Sequence, residues 1–285
     1  MKRSFKKLAA LFIMVGPVVF WLCVFVLLPV IYVLAISFFK KGTYGGVIPA
    51  FTLDNYTGMF QLLYVRIFLK SAWIALLVTA FCLLLGYPLA YIITKTSKKL
   101  KVVLVMLVML PFWTNSLIRT YGWITILRND GLLNKFLAML GVISQPLQLL
   151  YNDGAVMIGM VYTLFPFMVL PLYSSLEKLE NSLLEAASDL GAKPHRSFLR
   201  VTLPLTFPGI FAGIIQVFIP TMSYFFITDI MGGSKAMMIG NLINNQFITA
   251  RNWPFGAALS IMLILLTILL MRLYRRVGGR LEDMA

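Results

Sequence analysis

Glu185-Ala186-Ala187-Ser188-Asp189-Leu190-Gly191, with Val201-Thr202-Leu203-Pro204 nine residues further on, decides how this chain is read. It is a short charged helix-turn set between two long apolar segments, in a sequence that otherwise avoids charge. Crossing a bilayer needs no such insert, so a helical knob outside the membrane suggests a docking surface for something soluble. Ser182-Leu183-Leu184-Glu185 fits a capping box, with the Ser side chain on an early amide and Glu185 reaching back to the Ser182 amide. Leu183, Leu184, Ala187 and Leu190 fall at helical spacing and give an apolar face opposite Ser188 and Asp189. Gly191 is placed to end the helix in a left-handed conformation, and Pro194 suits the first turn of a second helix. The expected local structure is helix, tight turn, helix, with Ala186 and Ala187 keeping the first helix slim enough to enter a groove.

The flanking sequence is that of an all-α integral membrane protein. Hydrophobic residues make up 60% of the 285 residues and charged residues 12%, about half the charged share of an ordinary soluble domain. Several apolar runs reach the ~20 residues that cross ~30 Å of hydrocarbon as helix. They run continuously instead of alternating, which argues against a barrel. Six transmembrane helices are expected, near residues 11–39, 68–94, 102–127, 154–173, 206–228 and 255–273. No long soluble segment intervenes, so residues 1–285 read as one domain.

A net charge of +15 would point to nucleic acid in a soluble protein, but its distribution points elsewhere. Sixteen basic residues lie on one set of segments: Lys2, Arg3, Lys6 and Lys7; Lys95, Lys98, Lys99 and Lys101; Lys178, Lys193, Arg196 and Arg200; Arg272, Arg275, Arg276 and Arg280. The alternate loops hold eight: Lys40, Lys41, Arg66, Lys70, Arg128, Lys135, Lys235 and Arg251. This is the positive-inside asymmetry, so both termini are expected in the cytoplasm and no nucleic-acid partner follows. The apolar run after the basic start is too long for a signal-peptide core and reads as a retained first span. Cys23 and Cys82 fall within expected spans and read as buried small apolar residues.

Other segments punctuate the spans. Gly42, Gly45, Gly46 and Pro49 make the first outer loop irregular, and Phe51-Thr52-Leu53-Asp54-Asn55-Tyr56 resumes order. Pro111 interrupts the third span, and Pro166 and Pro171 the fourth. Gly232-Gly233 ends the fifth span. Residues 236–247 are too short to cross and too apolar for a free loop, so a half-helix at the outer face is expected.

The spacing E-A-A-x3-G-x9-V-x-L-P resembles the EAA loop of ABC-importer permeases, with Val201 where that family usually has Ile. The resemblance extends over nearly the whole chain, and residues 174–205 correspond to the cytoplasmic coupling loop. Further segments are similar to the spermidine/putrescine permease subunits: Phe51 to Tyr56, Pro111-Phe-Trp-Thr-Asn-Ser-Leu-Ile-Arg119, Leu170-Pro-Leu-Tyr-Ser-Ser175, Asp229-Ile-Met-Gly-Gly233 and Ile239-Gly-Asn-Leu-Ile243.

The resemblance implies a type I ABC-importer permease fold in the cell membrane, spanning the lipid bilayer several times. It implies that Glu185, Ala186, Ala187, Gly191, Leu203 and Pro204 couple the chain to an ATPase. The implied partners are a homologous second permease, two ATPase subunits and an extracytoplasmic polyamine-binding protein. ATP and Mg would sit on the ATPase, because this chain has no G-x-x-x-x-G-K-[ST] loop and no cofactor of its own. A permease for another small solute, such as an organic cation or an iron complex, is the alternative within the same fold. A membrane enzyme would need a polar catalytic cluster, and the loops offer no nucleophile–base pair. The single histidine, His195, lacks a second metal ligand nearby.

Within the spans, ionisable groups are almost confined to Arg119 and Asp229. Midplane carboxylates of the kind used by ion-coupled transporters are missing, which favours an externally powered pump. A polycation path wants dispersed acceptors and aromatic faces. Tyr224, Phe225, Phe226, Asp229 and Asn115 are the candidates, with Ser116 beside the last. Ordinary packing is the competing role for the aromatic trio. For Asp229 the competing role, and the slightly favoured one, is a structural pair with Arg119 at similar depth.

Overall fold

The computed structural model describes residues 14–233 and 236–276. Lys2, Arg3, Lys6, Lys7, Lys235, Arg280 and the expected start of the first span lie outside the described residues. The fold is a multi-span all-α membrane fold, with one small hairpin among the described residues. Among the described residues, four helices are individually long and apolar enough to cross a membrane: α1 (Met14–Ile36), α3 (Leu62–Lys95), α7 (Asp153–Glu177) and α13 (Trp253–Arg276). Two bent pairs raise the number to six if each is one span. In the first, α4 (Lys98–Trp113) turns by 91° into α5 (Ser116–Leu127) and α6 (Leu132–Met139). In the second, α9 (Pro194–Leu205) turns by 62° into α10 (Phe207–Ser223). The remaining helices are α2 (Asp54–Gly58), α8 (Asn181–Asp189), α11 (Phe226–Gly232) and α12 (Ile239–Ile248).

Helix α3 has 34 residues, about 50 Å at ~1.5 Å per residue, and overruns the expected 68–94 at its start. Hydropathy marks where a helix is in lipid; it does not mark where the helix begins. The expected third span is broken at Thr114-Asn115, shortly after Pro111. By contrast α7 runs unbroken through Pro166 and Pro171, both buried in the core, and these two do not interrupt the fourth span. The fifth is shorter than expected. Helix α10 ends at Ser223, Tyr224 takes φ −73 and ψ 103, and α11 restarts at Phe226.

The chain divides into two compact units. One comprises the residues up to Leu62 with Ile243–Leu265. In it, β1 (Phe39–Lys41) pairs antiparallel with β2 (Val47–Phe51), with a bulge after Phe39. Gly45 and Gly46, at φ +97 and +80, make the turn, and the Gly46 N–H donates to the Arg251 carbonyl. The order expected from Phe51 to Tyr56 has a cause in Asn55, whose Nδ2 donates to the carbonyls of Ser37 and Phe39, each at 2.9 Å. Tyr56 adds a hydroxyl contact to Ser37 at 2.7 Å. Cys23, expected to be buried, is exposed.

The other unit, from Leu63 to Leu242 and from Leu266 onward, is organised around α7. Its core holds Met160, Leu164, Met168 and Leu172 of α7 against Val78, Cys82 and Ile93 of α3 and Val217 of α10. The α7–α10 pair is the most extensive, because Gly209 and Gly213 let the two backbones approach. A Cβ at Gly209 would lie 2.7 Å from the Pro171 carbonyl oxygen, and one at Gly213 2.6 Å from Met168 Sδ. The pair forms the Gly-x-x-x-Gly spacing typical of close membrane helices. Tyr274 of α13 is fully buried, stacked on Phe211 at 5.8 Å.

Two π-turns, Cys23–Leu27 in α1 and Phe198–Thr202 in α9, share one cause. Each is followed by Leu-Pro, Leu28-Pro29 and Leu203-Pro204. A proline ring crowds the carbonyl four residues earlier, and the preceding turn widens into an i→i+5 bond, Leu28 N–H to Cys23 O and Leu203 N–H to Phe198 O.

Candidate functional site

Two surfaces carry the candidate residues. The first is the α8–α9 helix-turn-helix. Its C-terminus is built as expected. Gly191 has φ +77, its N–H donates to Ser188 O at 2.8 Å, and the Ala192 N–H donates to Ala187 O at 3.0 Å. These are the paired bonds of a Schellman motif. Pro194 opens α9. The N-terminus corrects the expected capping box. Glu180 is the N-cap and makes no side-chain cap bond, and Ser182 instead donates to the Glu180 carboxylate at 3.2 Å. The helix begins two residues earlier than that motif requires, which puts Ser182 inside the first turn.

The expected apolar face divides. Ala187 is buried and Leu184 half-buried, whereas Leu183 is exposed and Leu190 is 88% exposed. Glu185, Ala186, Gly191 and Pro204 are also exposed, and Leu203 packs against the core. A groove of about 490 Å³ follows, lined by Leu203, Pro204, Leu205, Phe207 and Pro208. Apolar side chains left in water at a loop tip lose the burial that stabilises apolar groups elsewhere, so this surface suits a protein partner.

Helix α9 is tied to the end of α3. Phe198 sits edge-on to Tyr87 at 5.7 Å and to Tyr91 at 6.4 Å. The Tyr87 hydroxyl meets Thr206 Oγ1 at 2.9 Å, at the bend into α10. Lys101 of α4 donates to both Glu177 oxygens at 2.8 Å, joining α4 to the end of α7. A displacement of α9 therefore loads α3 and α10 directly. None of these ties was foreseen, because aromatic and threonine residues in apolar segments read as packing.

The second surface is the break between α10 and α11. Tyr224, Phe225 and Phe226 line a groove of about 370 Å³ with Ile219, Pro220 and Ser223. Phe225 is 42% exposed, and Asp229 is exposed one turn beyond it. The expected Asp229–Arg119 pair is not formed. Asp229 Oδ1 instead accepts a short hydrogen bond from Asn241 Nδ2. Nε and Nη1 of Arg119 are buried with no hydrogen-bond partner among the described residues. Depth along two helices placed the residues at a similar level, but α12 folds back and supplies a nearer donor. Asn115 is exposed and caps α5, accepting from the Leu117 N–H at 2.8 Å. Its position at the break between α4 and α5 accounts for its polarity, and it is not brought to the Asp229 cluster by any contact seen.

Asn241 was missed, although it is a polar residue inside the Ile239 to Ile243 segment. Its Oδ1 reaches back to the Met238 N–H at 3.1 Å, and Nδ2 also donates to Phe225 O at 3.0 Å. The next amide of α12, on Ile239, donates to Ser71 Oγ of α3 at 2.8 Å. Residues 236–247 were expected to form a short helix, and α12 covers most of them.

Comparison with known proteins agrees with this architecture. Residues 82–283 match the family described as the binding-protein-dependent transport system inner membrane component. The chain is 47% identical over 269 residues to the spermidine/putrescine transport system permease protein PotB of Escherichia coli K12, covering 94% of this chain and 98% of that one. Identity to PotB of Haemophilus influenzae is 46%, covering 92% of each chain. The inner membrane ABC transporter permease YdcU of Escherichia coli is 33% identical over 82% of this chain and 78% of its own length. In fold, the chain is similar to a subunit in the crystal structure of a bacterial ABC transporter that imports alginate, with TM-score 0.76 at 18% identity, covering 96% of this chain and 98% of that one. A chain of the inward-facing MetNI methionine transporter aligns with TM-score 0.54 at 18% identity, over 75% of this chain and 95% of its own. The chain is a member of the binding-protein-dependent transport system inner membrane component family, a multi-pass permease subunit of an ABC importer.

Proposed function

We propose that this chain is a permease subunit of an ATP-driven polyamine importer and forms half of the translocation pore. Residues 1–285 act as one permease domain of six spans with both termini in the cytoplasm. A homologous second permease completes the pore, two ATPase subunits bind ATP and Mg and do the hydrolysis, and an extracytoplasmic binding protein delivers spermidine or putrescine. The observation that carries the substrate is the 47% identity to PotB across 94% of the chain.

The geometry supports the division of labour. In the 174–205 loop, Glu185, Ala186 and Leu190 project from α8, with Gly191 holding the turn. Ala187 anchors that helix inward. Leu203 and Pro204 pass the load into α10 through the Thr206 bend. At the other surface, Asp229 offers a carboxylate and Phe225 an aromatic face one turn apart. That is the pairing an extended polycation can use in steps, since each ammonium gains from a carboxylate and from the quadrupole of a ring.

The test is uptake by the assembled transporter in proteoliposomes, with the matching binding protein outside and ATP inside. Saturable uptake of labelled spermidine, competed by putrescine, is expected. Uptake of another solute with no polyamine competition would overturn the substrate assignment and leave the permease role standing.

A further inference from the structure

We propose that Asn241 is a positioning residue for polyamine selection, holding the Asp229 carboxylate and the Phe225 backbone in one fixed arrangement. This rests on the reading that Asp229 and Phe225 contact the substrate.

Asn241 is 4% exposed, and its amide has no freedom left. The Met238 N–H takes Oδ1, which fixes the side-chain flip. The two protons of Nδ2 are then assigned, one to Phe225 O and one to Asp229 Oδ1. In the second of these bonds the amide N–H donates and the carboxylate oxygen accepts. The Asp229 N–H also donates to Phe225 O, at 2.9 Å, so both lone pairs of that carbonyl are used. Asp229 Oδ2 has no hydrogen-bond partner among the described residues, and the residue is exposed.

The arrangement behaves as a clamp. It pins the backbone of the helix break at Phe225, whose side chain lines the groove, and it pins one oxygen of the carboxylate four residues later. The carboxylate and the backbone that carries the ring are therefore held at one separation. A polycation that must bind an anion and a ring together gains from that constancy, because less ordering is left to be done on binding. Asn241 occupies the N3 position of α12 and bonds back to the N-cap amide, one half of a capping box. Capping alone does not require Asn, since Gln serves the N3 role as well. What the shorter amide adds is its simultaneous reach to Asp229 and Phe225.

A double-mutant cycle on spermidine uptake by the assembled transporter tests this. Asp229→Asn should raise KM about tenfold, the scale of losing one charged hydrogen-bonding partner. Asn241→Ser and Asn241→Gln should each raise KM about three- to tenfold, with little change in kcat or basal ATP hydrolysis. In the Asp229→Asn background, either change at Asn241 should alter KM by less than about twofold, since a residue acting through Asp229 has nothing left to act on. Asn241→Gln keeps the cap, so it carries the test if the Ser variant assembles poorly. Equal effects of the Asn241 variants in both backgrounds would overturn the proposal, as would lowered thermal stability with unchanged KM. An unchanged KM in Asp229→Asn alone would instead remove the carboxylate from the path, and the role of Asn241 with it.

Discussion

Gly191 stands at φ +77 with no atom within 4 Å of where a Cβ would be. A substitution there meets no clash, so its cost is purely conformational and can be ranked in advance. Alanine must enter the left-handed region at about 1 kcal/mol, a shift of about fivefold in the equilibrium of the turn. Asparagine visits that region more readily and should cost about half as much. Proline cannot reach it, because its ring holds φ near −65° and it also lacks the N–H that donates to Ser188 O. Its cost is about 3 kcal/mol or more, on the order of 100-fold. If the turn presents a docking surface, ATPase retention by the purified permease and ATP-driven uptake should fall in the order Gly, Asn, Ala, Pro, with membrane insertion unchanged. A residue needed instead for its small size against a partner would rank by volume, with Asn worse than Ala. That order would refute the argument from backbone geometry. Full ATPase binding and uptake in Gly191→Pro would refute the docking role itself.

Four further outcomes are expected. In a background without Cys23 and Cys82, single cysteines at Lys98 and Arg275 should be shielded from an impermeant reagent added outside intact cells, while one at Asn129 should react; labelling of all three would overturn the six-span topology. Arg119→Gln and Asp229→Asn should act independently on thermal stability, with a coupling below about 0.5 kcal/mol, since Asp229 is bonded to Asn241; strong coupling would restore the ion pair. Gly209→Leu should destabilise the assembled complex by at least about 1–3 kcal/mol, because the side chain would overlap the Pro171 carbonyl and Ser175. Gly122→Ala, with nothing within 4 Å of the new Cβ, should be neutral or raise stability by about 0.5–1 kcal/mol.

What could be read from the sequence was what is encoded locally. Continuous apolar runs gave the long helices, and Gly191 and Pro194 gave the turn of the α8–α9 loop, because a left-handed residue and a fixed φ act within three or four positions. The capping box failed for a local reason too. Its spacing was present, but the linker after Glu177 is so short that α8 already starts at Asn181 and takes Ser182 into its first turn. The helix breaks were harder. Pro111 and Pro220 each precede one, whereas Pro88, Pro166 and Pro171 sit in unbroken helices. Whether a proline breaks a membrane helix depends on the neighbours that hold the chain on either side, and those are set by the fold. The partner of Asp229 was illegible for the same reason, since Asn241 arrives only when α12 folds back.

Ser71 bears on the order in which the protein is made. Its Oγ receives the Ile239 N–H from a residue 168 positions later in the chain. When α3 leaves the ribosome that amide does not yet exist, and a lone hydroxyl would be costly to carry into lipid. The hydroxyl proton is already engaged within α3, donated to Ile67 O at 2.7 Å. Only an acceptor lone pair waits, and it can wait in hydrocarbon at small cost. Thr79 and Thr221 hold their protons in the same way, on the carbonyls of Ala75 and Val217. A helix can thus enter the bilayer early with its hydroxyls internally satisfied, and still offer an oxygen to an element synthesised much later.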